Sequence, residues 1–192
     1  MKENYAIVLD YLPKGYATSF KKEPVAQAIG EEHFSLLELV MRDDVKVSLR
    51  DKIYIGPEKR DHVQYIKGRL TFDRLTATAR NELKSYLDEV VKATEAKYVE
   101  FFNKAGPISV RTHSLELLPN IGKKHMMDIL DEREKKPFES FKEITERIKL
   151  MPDPHRVIVE RIMEELQGDS KYYIFVKAPP REFEGDRYNR GP

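Results

Sequence analysis

The chain has 192 residues and a mass of 22.5 kDa, enough to bury roughly 70% of its unfolded surface in a genuine core. Hydrophobic residues make up 40% and charged residues 35%, so the chain is too apolar to be disordered and must carry a densely charged surface. Its 34 Lys+Arg nearly balance 33 Asp+Glu and it has no cysteine, which excludes disulfides, Cys-ligated zinc, iron–sulfur clusters and thiol nucleophiles, and makes any affinity for nucleic acid depend on where the charge sits.

The first 75 residues read as strands. Runs at 5–11, 25–29, 34–41, 52–55 and 62–72 are rich in β-branched and aromatic residues; Pro13 with Gly15, Gly30-Glu31-Glu32, Arg42-Asp43-Asp44 and Gly56-Pro57 punctuate them. Short strands in succession with no helical crossover predict a small antiparallel β-barrel or sandwich, because such strands must close or pair to hide their edges. The segment Val47-Ser48-Leu49-Arg50-Asp51-Lys52-Ile53-Tyr54-Ile55-Gly56 is similar to the strand-turn-strand step of OB and S1-like barrels. Between Arg42 and Arg74 there are nine basic and six acidic residues, with Tyr54, Tyr65 and Phe72 interleaved among Arg50, Lys52, Lys67 and Arg69. Aromatics that stack on bases beside cations that hold phosphates suit single-strand binding on an OB-like face, so Arg50, Lys52, Tyr54, Tyr65, Lys67 and Arg69 form a second candidate site.

Residues 79–104 predict one connecting helix, about 39 Å long, with Leu83, Tyr86, Leu87, Val90, Val91, Tyr98, Phe101 and Phe102 at three- and four-residue spacing. Thr78 is placed to cap its start, and Gly106-Pro107 stops it. From 113 to 166 the pattern is helical in short pieces broken by prolines at 119, 137, 152 and 154, after which 172–176 returns to strand character. Five-residue apolar runs such as this one are far short of the ~20 residues needed to cross a bilayer. With no apolar signal region after Met1, a cytoplasmic protein with no membrane partner is expected. The tail 179–192, polar and bearing Arg181, Arg187 and Arg190, is expected to be disordered.

The segment Leu115-Glu116-Leu117-Leu118-Pro119-Asn120-Ile121-Gly122-Lys123-Lys124-His125-Met126-Met127-Asp128-Ile129-Leu130 resembles a nucleic-acid-binding helix-hairpin-helix element, whose Leu-Pro-Gly-apolar-Gly hairpin holds a backbone phosphate with its amides. Elementary electrostatics points the same way, since a hairpin ending at a helix start offers unpaired N–H groups and the positive end of a helix dipole. The candidate donors are the amides of Ile121, Gly122, Lys123 and Lys124 and the two lysine ammonium groups. Asn120 replaces the family's first hairpin glycine and is the non-glycine residue least averse to the left-handed conformation required there.

Pro137-Phe138-Glu139-Ser140-Phe141-Lys142-Glu143-Ile144 then resembles the connector between the hairpins of tandem modules, and Leu150-Met151-Pro152-Asp153-Pro154 stands where a second hairpin belongs. This predicts one competent hairpin and one degenerate hairpin kept for packing. The module itself is not basic: 105–149 holds nine basic and eight acidic residues.

The expectation is an α+β protein: an OB/S1-like barrel at 1–75, a connecting helix at 76–106, a tandem helix-hairpin-helix module at 107–168, a closing strand at 169–178 and a flexible tail at 179–192. The order of parts resembles an uncharacterised archaeal family of small predicted RNA-binding proteins. No activity is established for that family; the hairpin and the barrel together lead us to expect a non-catalytic nucleic-acid-binding protein, RNA ahead of DNA, with the hairpin holding backbone phosphate, the barrel touching unpaired bases, and low sequence selectivity. Two alternatives stand beside it, a DNA-binding accessory in repair or recombination and an adaptor docking on ribosomal or RNA-processing proteins. The five histidines have no metal-ligand spacing, Glu31-Glu32 and Asp43-Asp44 do not converge as acid–base pairs, and neither a Gly-x-x-x-x-Gly-Lys loop nor a nucleophile elbow is present, so neither enzyme activity nor a cofactor is expected.

Overall fold

The computed structural model describes residues 3–168 and 170–178. Five strands form at the expected places: β1 (Tyr5–Leu12), β2 (Val25–Gly30), β3 (Leu36–Met41), β4 (Lys52–Tyr54) and β5 (Val63–Arg69). All pairings are antiparallel, in the order β4-β1-β2-β3-β5. The expected closed barrel is a half-barrel, because β4 has three residues, already paired to β1, and runs into Gly56 and Pro57, which lacks an N–H to extend a ladder.

Alternation along the strands sends side chains to two cores. Ala6, Val8, Ala26, Ala28, Leu39 and Met41 fill the hollow of the half-barrel, while Ile7, Leu9, Ile29 and Leu36 face the helices. The β1–β2 register shifts between Val8 and Asp10. Just beyond that irregularity the Asp10 carboxylate accepts the Thr76 hydroxyl at 2.6 Å, and the buried Gln27 amide group accepts from the Thr76 amide and donates to the Arg74 carbonyl and the Tyr16 hydroxyl. The sheet thereby fixes where the first helix begins.

That helix is capped by Thr76, not Thr78, and it does not run through to Lys104. It divides into α1 (Ala77–Ala93) and α2 (Glu95–Lys104) at Thr94, where the side-chain hydroxyl bonds the Val90 carbonyl and the backbone turns to φ −115°, ψ 33°. A two-stranded hairpin that the helical reading did not anticipate follows, β6 (Pro107–Ser109) with β7 (Thr112–His113). Three further helices follow among the described residues: α3 (Lys123–Lys135), α4 (Phe141–Arg147) and α5 (Pro154–Gln167).

Among the described residues, the predicted closing strand at 169–178 does not form. The amides of Ile174, Phe175 and Val176, which a ladder would have used, donate at 2.8–2.9 Å to the carboxylate of Glu165 on α5. That fully buried carboxylate also accepts from Arg161, whose guanidinium reaches the Tyr172 carbonyl. A buried charge met by four donors is stable where an unpaired one would not be. One apolar core runs without interruption from Ile7 and Leu9 through α1 and α2 to the helical module and Val176. Among the described residues no helix is long and apolar enough to cross a membrane. The expected flexible tail, 179–192, lies outside the described residues.

Candidate nucleic-acid interface

Two turns in the helical half share one geometry. The first follows a short 3-10 turn, Ser114–Leu117, at which the His113 ring accepts the Leu115 amide and the Glu116 carboxylate accepts the His113 amide. The Leu118 amide then bonds the Leu115 carbonyl, the Ile121 amide bonds the Leu118 carbonyl, and Asn120 takes φ 62°. The second follows α4: the Met151 amide bonds the Ile148 carbonyl and Leu150 takes φ 58°. Leu118, Asn120 and Ile121 thus correspond to Ile148, Leu150 and Met151, and in both turns the residues flanking the left-handed one, at 118 and 121 and at 148 and 151, are buried.

The turns diverge where their helices start. Asp153 caps α5, its carboxylate accepting the His155 amide at 3.0 Å. Gly122 caps α3 without a side chain, and the amides of Gly122, Lys123 and Lys124 meet no protein acceptor among the described residues. Ile121, expected to offer its amide as well, does not, because that N–H closes the turn on Leu118. A Cβ built at Gly122 would meet nothing within 4 Å, so the glycine is not forced by the fold and leaves the helix end open to an approaching group.

The surrounding charge is unopposed. Lys123 and Lys124 are exposed, as is Lys149 on the second turn, and none has a carboxylate within 4.0 Å among the described residues. The two turns lie together, for His125 Nε2 is 3.1 Å from the Leu150 carbonyl. Lys149 and His125 were missed in the sequence; the apolar pair Ile148 and Met151, spaced like Leu118 and Ile121, is the signal that would have aligned them.

The second candidate set is dispersed and engaged. Lys52 and Tyr54 lie on β4 and Tyr65, Lys67 and Arg69 on β5, at opposite ends of the strand order. Arg50 lies over the Tyr86 ring and bonds Glu82, Ser85 and Glu89, tying the β3–β4 loop to α1. Lys52 pairs with Glu31 over the Tyr5 ring, Tyr54 packs edge-on against Tyr5, and Tyr65 donates to Glu23. Lys67 bonds the buried Glu38 carboxylate, which holds its ammonium above the ordinary value. Arg69 bonds the Ala178 carbonyl and the Ser35 hydroxyl. No group of three or more metal-ligating side chains exists among the described residues.

A family model described as a protein of unknown function, DUF655, matches residues 2–177. The chain is 46% identical to the uncharacterized protein MJ0038 of Methanocaldococcus jannaschii over 177 residues, which is 91% of this chain and 80% of that protein. The crystal structure of Af1531 from Archaeoglobus fulgidus is similar with a TM-score of 0.80 at 42% identity, covering 91% of this chain and 100% of that one. A model match that spans both the half-barrel and the helical turns, together with these two archaeal relatives, places the chain in the DUF655 family.

Proposed function

We propose that this is a non-catalytic nucleic-acid-binding protein, with RNA as the preferred acid, that holds a backbone phosphate at the turn 120–124. The reading rests on one contrast: Arg50, Lys52 and Lys67 of the half-barrel candidate set are neutralised by carboxylates, whereas Lys123 and Lys124 flank three amides with no acceptor, and face no carboxylate, among the described residues. Amides at the positive end of a helix dipole, with two ammonium groups beside them and an open glycine between, match a phosphate in charge and hydrogen-bonding sense. In this reading the turn and α3 are a helix-hairpin-helix element, the second turn is its packing partner, and the half-barrel is an OB/S1-like module. RNA stands ahead of DNA on the resemblance to predicted RNA-binding proteins. Sequence selectivity is low, because phosphate contacts position a strand without reading it.

The test is fluorescence anisotropy with labelled single-stranded RNA, single-stranded DNA and duplex DNA at low and near-physiological salt. RNA binds in the micromolar range or tighter and weakens as salt rises, and Lys123→Glu with Lys124→Glu lowers affinity by roughly 100-fold while the melting temperature holds. Absence of binding to all three acids at low salt would sink the reading and leave the protein adaptor in its place.

A further inference from the structure

The half-barrel's two unpaired edges border a cleft of about 300 Å³. Its apolar lining includes Leu37, Ile55 and Ile66, from β3, the end of β4 and β5, and its cationic lining includes Arg60 and Arg69. A second cleft of about 410 Å³ adjoins it and shares Arg69 and Ser35. Ligand sites in proteins are concave, largely apolar and furnished with a few convergent polar groups, at about this size and upward.

The charged lining is mostly positive, with Glu3 the one acid. Arg60 uses its Nε on the Gly56 carbonyl at 2.8 Å, and its two terminal nitrogens donate to nothing among the described residues. Arg69 reaches the Ala178 carbonyl and the Ser35 hydroxyl, and neither arginine has a carboxylate within 4.0 Å among those residues. The one acid lining the cleft, Glu3, is already met by the amides of Glu32, His33 and Ser35. Gly56 keeps the rim in place: a Cβ there would lie 2.3 Å from the Tyr54 hydroxyl, which accepts the Glu58 amide.

We propose that this cleft binds a nucleotide, its base against Leu37, Ile55 and Ile66 and its phosphate on the Arg60 and Arg69 guanidinium groups. The apolar lining suits a flat, weakly hydrated ring, and a planar fork of donors suits a phosphate better than an ammonium would. The site is separate from the turn 120–124 and does not depend on the reading given for it. The same chemistry serves a free mononucleotide and one unit of a single strand.

Isothermal titration of the full chain with AMP, adenosine and inorganic phosphate tests the proposal. AMP binds about tenfold more tightly than either fragment, and Arg60→Gln weakens AMP by about tenfold while leaving adenosine unchanged. Arg69→Gln has a comparable effect on AMP, and because Arg69 also holds Ala178, the Arg60 variant decides if the Arg69 variant is less stable. Lys123→Glu with Lys124→Glu leaves AMP binding intact. Displacement of AMP by a short oligoadenylate assigns the cleft to a strand, and failure to displace it assigns the cleft to free nucleotides. No binding at millimolar AMP, equal affinity for AMP and adenosine, unchanged AMP affinity in the Arg60 variant, or loss of AMP binding in the Lys123/Lys124 variant would overturn it.

Discussion

The turns at Asn120 and Leu150 share a left-handed residue and a closing hydrogen bond but differ in the chemistry of the helix starts that follow, the second of which comes one residue later. Each places one residue in the left-handed region between two buried apolar anchors and then starts a helix. The second supplies its helix with an internal anion, the Asp153 carboxylate, on the amide of His155. The first ends in Gly122, and the amides of Gly122, Lys123 and Lys124 meet no protein acceptor among the described residues. Packing demands account for the shared anchors, and the helix start is closed in the second turn by the Asp153 carboxylate together with Pro154, which has no N–H to leave unpaired.

Exchanging the caps is the sharpest way to break this comparison. Gly122→Asp gives the first turn the second turn's carboxylate. It raises stability by roughly 0.5 kcal/mol in urea denaturation and lowers affinity for RNA at least about tenfold. Wild-type affinity in that variant would remove the amides from the mechanism. Asp153→Ala opens the second turn and lowers stability by about 1 kcal/mol, while RNA affinity stays within about twofold because the first turn is untouched.

Leu150→Asn installs the residue found at the matching position of the first turn. It is expected to stabilise by up to about 1 kcal/mol, since Asn tolerates the left-handed region and the exposed leucine loses no buried contact. A lower melting temperature would show that Leu150 packs in solution. The smallest effect concerns the entrance to the first turn. Burial, with Arg133 nearby, lowers the His113 pKa from its ordinary value of 6.5, and the ring accepts the Leu115 amide only when neutral. The unfolded chain therefore takes up this proton first, so the contribution is present above the ordinary value and is lost as pH falls toward the depressed one. The melting temperature at about pH 5 should drop less, relative to about pH 7.5, in His113→Asn than in the wild type.

The strands were legible because β-branched runs and turn residues coincide, and their five positions needed only trimming at the ends. The left-handed Asn120 was legible for a similar reason, as a local preference that the fold obeys. Apart from the break at Thr94, whose hydroxyl bonds Val90 only four residues back, what was hidden depended on partners distant in sequence. Thr94 breaks a helix whose periodicity continues across it. Residues 172–176 have strand composition, yet their amides go to a carboxylate supplied by α5. A local excess of lysine and arginine between 42 and 74 likewise says nothing of Glu31, Glu38, Glu82 and Glu89, which engage Arg50, Lys52, Lys67 and Arg74 in the folded chain. Lys123 and Lys124, which face no carboxylate among the described residues, lie instead in a segment whose charges nearly cancel on counting.

The uninterrupted core gives the molecule the character of a ruler. Because the same apolar residues pack β1, α1, the two turns and Val176 into one body, the half-barrel and the turn 120–124 cannot pivot independently as domains on a linker would. A strand engaging both would have to bridge an invariant gap, and its affinity would rise stepwise with length at the point where it first spans that gap.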